Sequence, residues 1–270
     1  MREIDTGTMD LLARVEDGVA VLTMNRPERR NALSGDMLDA MGRVLAAAEV
    51  DDEVGCVVLT GAGGAFCAGG DVKNMASGGG DSVPFDVRVH RQRLSQRATS
   101  GRLWEMPKPT IAAIPGAAAG AGLSLSLACD LRYAVPGAVL TTAFARVGFA
   151  GDYGGTWFLT RLVGPAKAKE LYYFSERIDA EQARALGIVN DVLGADGFEA
   201  EVLRRAKRLA AGPRVAYRYM KENLERAVHG ELGECLDMEA AHHLRTGLTD
   251  DHREAAKAFV EKREPVFRGR

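Results

Sequence analysis

Apolar residues fall in two regimes along the chain. In the earlier part they form short unbroken runs: "VAVLTM" (Val19 to Met24), "VGCVVLTG", "KPTIAAI", "LRYAV" and "VLTTAF". Runs of that length with β-branched residues and no alternation predict buried strands. Between the first two, "GDMLDAMGRVLAAAEV" places Met37, Leu38, Met41, Val44 and Leu45 at helical spacing, with Ser34 as its N-cap. This strand–helix–strand unit implies a right-handed crossover. Residues 83–104 predict an Arg-rich helix. Two glycine loops, "GAGGAFCAGGDVKNMASGGGDS" and "PGAAAGAG", each follow a strand and precede a helix, so strand, strand and helix recur as a rough structural repeat.

Beyond residue 154 the regime changes. "GTWFLTRLVG", "PAKAKELYYFSE" and "DAEQARALG" predict helices and "IVNDVL" one short extended piece. From Gly197 on everything reads as helix, so the expected division is a core of residues 1–196 and a helical region of residues 197–270. A helical tail of that length must pack on its own core or on a neighbouring subunit.

Composition bounds the chemistry. The 270 residues suffice for a substantial core, and 35 Lys+Arg against 37 Asp+Glu give a net charge of −2. No basic excess draws nucleic acid or an anionic membrane, and no run approaches the roughly 18 apolar residues of a membrane span. The N-terminus "MREIDTGTMD" is polar and acidic, unlike a signal peptide, so a cytoplasmic protein is expected. Cys56, Cys67, Cys129 and Cys235 form no CxxC pair and lie in apolar segments, which predicts buried free thiols. His242 and His243 are adjacent and diverge around a helix, a poor metal pair; no metal site is expected.

The loops are the first candidate site. A helix start exposes unpaired N–H groups, and glycine lets a ligand approach the backbone. Two such groups aimed at one point would hold an oxyanion; tight turns are the plain alternative. Neither loop spells GxGxxG after a strand, which sets a dinucleotide site aside. The second candidate is Asp152, alone in the apolar, glycine-rich "AFARVGFAGDYGGTWFL". Apolar surroundings raise a carboxyl pKa toward the range a general base needs. Capping the helix that begins near Gly154 is the competing role. Tyr153 and Trp157 beside it are expected either to line a ligand pocket or to pack in the core. His90, on the Arg-rich helix, is expected to be structural.

"GAFCAGGDVKNM", "IPGAAAGAGLSLSLACDLRYA" and "GGTWFLTRLVGPAKAKEL…DAEQARALGIVNDV", with "NRPERRNALS" and "AFVEKREPVF", resemble in order the crotonase superfamily, the enoyl-CoA hydratase/isomerase family. The resemblance implies an α/β fold, a crotonase-like spiral of ββα units with a C-terminal helical trimerisation region, assembled as a homotrimer or a hexamer of paired trimers. It implies an acyl-CoA substrate with no cofactor beyond the CoA moiety. By the resemblance, Gly70 and Ala121 supply the N–H groups that polarise the thioester carbonyl. Ala68, Asp71 and Val72 line the pantetheine and adenine, Arg29 and Arg30 border the nucleotide, and Lys73 reaches a phosphate. Phe259 and Lys262 complete the adenine–phosphate pocket of a neighbouring subunit.

The family pattern breaks where hydratases carry two glutamates: those positions fall on Ser124 and Phe144. Asp152 instead aligns with an aspartate of dienoyl-CoA isomerases, ring-epoxide isomerases and 4-chlorobenzoyl-CoA dehalogenases. "GFAGDYGGTWFLTRLVG" is most similar to the ring-epoxide isomerase version. An acyl-CoA isomerase with one Asp as acid and base is the leading expectation. The alternatives are a hydratase-like lyase, a nucleophilic-Asp dehalogenase or hydrolase, and a non-catalytic acyl-CoA binding subunit.

Overall fold

The computed structural model describes residues 1–71 and 83–270. The chain winds so that each turn leaves one strand in a large sheet and the next in a small one. The large sheet holds β1 (Arg2–Ile4), β2 (Leu11–Glu16), β3 (Val19–Met24), β4 (Cys56–Gly61), β6 (Thr110–Ile114), β8 (Leu131–Ala134) and β11 (Asp191–Val192), in the order β1-β2-β3-β4-β6-β8-β11. The small sheet is β10 (Ile178–Asp179), β9 (Val139–Thr141), β7 (Ala117–Ala119) and β5 (Ala65–Cys67), in that spatial order. β4 and β5, β6 and β7, and β8 and β9 are thus the paired strands of successive turns, the expected ββα spiral. β1, β2 and β3 pair antiparallel, whereas β3, β4, β6, β8 and β11 are parallel neighbours.

The sequence pattern explains these placements. All five residues of β6 are buried, as a parallel strand covered on both faces must be. β2 alternates, with Leu11, Ala13 and Val15 buried and Leu12 exposed. The helix Gly35–Val50 buries Met37, Ala40, Met41, Val44, Leu45 and Ala48, and the Ser34 hydroxyl caps it by accepting from the Met37 N–H at 3.1 Å. The Arg-rich segment forms the helix Phe85–Gln96, a π-turn over Arg97–Gly101 and the short helix Arg102–Glu105.

Strands β5 and β7 run through stretches expected to be glycine loop, because small residues there let the two segments pair in the small sheet, and one expected strand is cut short. "VLTTAF" keeps only Val139–Thr141 as strand, because Ala143 turns left-handed at φ 58° and Phe144–Val147 winds into a 3-10 turn. The two expected helices "GTWFLTRLVG" and "PAKAKELYYFSE" are the halves of the run Gly155–Phe174, broken at Gly164 (φ 77°, ψ 163°), where Pro165 follows and cannot donate to the preceding turn. That break folds the second half back toward the start of the first, with consequences for the site.

Cys56, Cys67 and Cys129 are buried free thiols, and Cys235 is half-buried rather than buried. Burial pushes Cys67 and Cys129 up to about 12. The helix Phe198–Ala210 lays Phe198, Val202 and Ala206 into the core. The following helices Arg214–Ala227 and Leu232–Thr246 bury no residue, and Asp250–Glu261 buries only Asp251 and Ala258. Asp251 ties down the C-terminus by accepting from the N–H groups of Arg268 and Gly269 at 2.6 and 2.9 Å. Among the described residues no helix is long and apolar enough to cross a membrane.

Candidate active site

The two glycine loops meet. After β5, the Ala68 N–H donates to the Arg30 carbonyl at 2.9 Å, and the Gly69 carbonyl accepts from Leu33 at 2.8 Å. After β7, Gly120 (φ 53°, ψ −127°) turns the chain into the helix Ala121–Leu127. A side chain on Gly69 would begin 2.7 Å from the Ala119 carbonyl oxygen and 3.3 Å from the Ala121 nitrogen. One on Gly122 would begin 2.4 Å from the Cys67 carbonyl oxygen. Glycine at 69 and 122 is therefore what lets the loops touch. The Gly70 and Ala121 N–H groups have no partner among the described residues, as donors kept for a ligand would.

Asp152 stands in a stretch of strained backbone. Gly151, Tyr153 and Gly154 have φ of 112°, 48° and 77°. The strain is held from outside: the Tyr153 N–H donates to the Gln96 Oε1 at 2.8 Å, and its hydroxyl lies 3.2 Å from the Ser95 Oγ. Tyr153 is thereby buried against the helix Phe85–Gln96. The Asp152 side chain caps nothing, because the N-cap of Gly155–Phe174 is Gly154 and no side chain bonds there. Instead its Oδ1 is buried with no hydrogen-bond partner among the described residues. Desolvation pushes its pKa up from 3.8 to about 6. Its charge also helps raise the Cys67 thiol and the Tyr172 hydroxyl, which places both in its neighbourhood.

Ser124 and Phe144, where the resemblance puts the hydratase glutamates, carry no group that titrates near neutrality. The Ser124 hydroxyl donates back to the Gly120 carbonyl at 3.3 Å. Phe144 stacks on Tyr172 with ring centroids 5.9 Å apart and planes at 9°. Tyr172 itself was not legible in the sequence: it lies beyond the Gly164 break, in a "YYF" run that reads as ordinary core. A methyl placed on Gly155 would lie 2.2 Å from the Ser124 Oγ and 2.6 Å from the Tyr172 hydroxyl.

The residues expected around CoA are scattered along one loop system and the tail. Asp71 accepts from Arg29 at 2.8 Å and from Arg26 at 3.3 Å, a junction that fixes the loop after β5 on the Pro27–Arg29 turn. Arg30 is exposed and left-handed at φ 49°. Val72 and Lys73 lie outside the described residues. Phe259 is 86% exposed and Lys262 is exposed just beyond the last helix, so neither meets the other site residues within one chain. His90 is exposed. His242 bonds Asn223 at 2.6 Å and stacks on Tyr219, and no metal-binding cluster occurs among the described residues. Trp157 packs edge-on against Trp104 at 5.0 Å under the Arg161 guanidinium, lining a separate cavity of about 520 Å³ beneath the helix Arg214–Ala227.

A two-sheet ββα spiral with abutting glycine loops, and a buried carboxylate oxygen without a partner among the described residues, defines the class of α/β fold. Residues 14–270 match the model of the enoyl-CoA hydratase/isomerase family. The chain is 35% identical over 260 residues to a 1,2-epoxyphenylacetyl-CoA isomerase of Escherichia coli K12, covering 96% of this chain and 98% of that one. It is 34% identical over 223 residues to 4-chlorobenzoyl coenzyme A dehalogenase-1 of an Arthrobacter species, covering 83% and 80%. The crystal structure of an enoyl-CoA hydratase from Polaromonas sp. JS666 superposes with a TM-score of 0.89 at 35% identity, covering 95% of this chain and 99% of that one. The protein belongs to the enoyl-CoA hydratase/isomerase family of the crotonase superfamily.

Proposed function

We propose that this chain is an acyl-CoA isomerase that moves a proton, and with it a double bond, through a thioester enolate. The observation that carries this is Asp152: a carboxylate oxygen buried without a partner, with its pKa raised to about 6 by desolvation alone. A carboxylate oxygen with no partner among the described residues is poised to exchange a proton near neutral pH. The Gly70 and Ala121 N–H groups hold the thioester oxygen as charge builds on it. Asp152 removes the α-proton, the C–H electron pair moves into the enolate, and the same carboxyl returns the proton at another carbon. The steps need no cofactor beyond the CoA of the substrate. Arg29, Arg30, Ala68 and Asp71 border that CoA.

The test is exchange of substrate α-protons with deuterated water, followed against pH. Asp152 must be ionised to act as base. The exchange rate therefore climbs about tenfold per pH unit below 6 and levels off above it. The same group sets a stability slope. Between 3.8 and about 6 the folded chain keeps a proton that the unfolded chain has released, so Asp152 makes the fold less stable as pH rises through that window. A profile flat from pH 5 to 8 removes Asp152 from the role. Trapping a covalent Asp152 adduct by mass spectrometry would replace the isomerase with a nucleophilic dehalogenase or hydrolase. CoA binding without exchange on any acyl-CoA would leave a binding subunit.

Assembly as a closed trimer or hexamer is part of the same reading. The tail concentrates uncovered apolar side chains, with Leu224, Leu232, Leu244, Leu248 and Phe259 all at least 70% exposed. A patch of that kind marks an interface. Light scattering is expected to give three or six chains, with Phe259 and Lys262 against a neighbour's CoA. A stable, active monomer would contradict it.

A further inference from the structure

The break at Gly164 carries Tyr172 back to the segment that holds Asp152, and the reaction as proposed does not use it. Its ring is fixed by the stack on Phe144. Its edge lies against Gly151, where an added methyl would sit 3.1 Å from Cε1, and its hydroxyl faces the Cα of Gly155. Gly151 and Gly155 flank Asp152 on either side, so the tyrosine spans the carboxylate's own loop. The hydroxyl makes no hydrogen bond among the described residues, although Ser124 Oγ and Asp152 are both near. Ser124 commits its proton to the Gly120 carbonyl. Among the described residues Tyr172 is thus a hydroxyl donor without an acceptor beside Ser124 and Phe144. Desolvation and the Asp152 charge both hold the phenol in its protonated form, so it can donate and not act as a base.

We propose that the Tyr172 hydroxyl is a specificity-determining donor, and that it selects acyl-CoA thioesters carrying an acceptor oxygen on the acyl chain beside the carbons Asp152 serves. This deepens the isomerase reading and rests on it for the position of the acyl group. The physical reason is a difference between substrates. A hydrocarbon acyl group strips water from the phenol and gives nothing back, whereas an ether, epoxide or hydroxyl oxygen replaces the lost water. No bond to Tyr172 is made or broken. Phe144 serves by holding the ring, and glycine at 151 and 155 leaves room for it.

The experiment measures dissociation constants of butyryl-CoA and 3-hydroxybutyryl-CoA by calorimetry for the unaltered protein and for Tyr172→Phe. The unaltered protein is expected to prefer the hydroxylated thioester. Tyr172→Phe is expected to lower that preference roughly 3–10-fold, the worth of one neutral hydrogen bond, while the affinity for butyryl-CoA changes by less than about twofold. Equal losses for both thioesters, or no loss for either, overturn the proposal. Should the variant not fold, absence of the preference in the unaltered protein overturns it as well. Deuterium exchange at the α-carbon is followed in the same samples. If the unaltered protein exchanges nothing, the isomerase reading fails, while the binding preference still decides the role of Tyr172.

Discussion

Asp152→Asn is expected to abolish isomerisation and α-proton exchange while leaving CoA-thioester affinity nearly intact. Positioned proton transfer is worth roughly 10²–10⁴-fold, and the loss should reach that scale. Asparagine has the same size and fits the same gap between Gly151 and Tyr153, but it cannot accept a proton near neutrality. It carries no charge to desolvate, so above pH 6 the variant should melt at or slightly above the temperature of the unaltered protein. A merely structural Asp152 predicts the reverse pattern: a lower melting temperature and an unchanged rate. The side chain's freedom from any capping bond already points away from that outcome. If the asparagine variant exchanges α-protons at the unaltered rate, Asp152 is not the base.

Crotonyl-CoA hydration is expected to run at least about 10²-fold below that of a two-glutamate hydratase under the same conditions. Hydration needs groups that hold one water and move its proton. Ser124 spends its hydroxyl on the Gly120 carbonyl, and Phe144 offers a ring stacked on Tyr172. Asp152, the proposed base at carbon, is not paired with a second carboxylate among the described residues that would orient the water. Steady-state rates of hydration on purified protein decide this. A kcat in the range of a two-glutamate enzyme would mean that some other group activates water.

Much of the fold was legible as pattern. The buried runs of β3, β4 and β6 and the stripe of the helix Gly35–Val50 follow from strand and helix periodicity, and Ser34 announced its helix by residue type. The helices past Gly197 were equally plain, although their periodicity did not distinguish Phe198–Ala210, which covers the sheet, from helices that bury nothing. "VLTTAF" misled because its composition favours strand, while the backbone at Ala143 turns left-handed to bring Phe144 over Gly120, whose added methyl would lie 3.8 Å from the ring.

The site divides along the same line. Residue order alone put Asp152 among apolar residues and two glycine-rich stretches before helices, and the resemblance put Ser124 and Phe144 at the hydratase carboxylate positions. These are matters of residue identity and local spacing. It took the fold to show that Gly154 stands at the N-cap position and that the Asp152 side chain bonds no helix N–H, because capping depends on which side chain reaches a free N–H. Only it showed that the Asp152 Oδ1 is buried without a hydrogen-bond partner among the described residues, since burial is set by every segment packed around a residue. And only it brought Tyr172 to Ser124 and Gly155, because that contact depends on the angle at which one helix turns back at Gly164, and one-dimensional periodicity carries no information about such an angle.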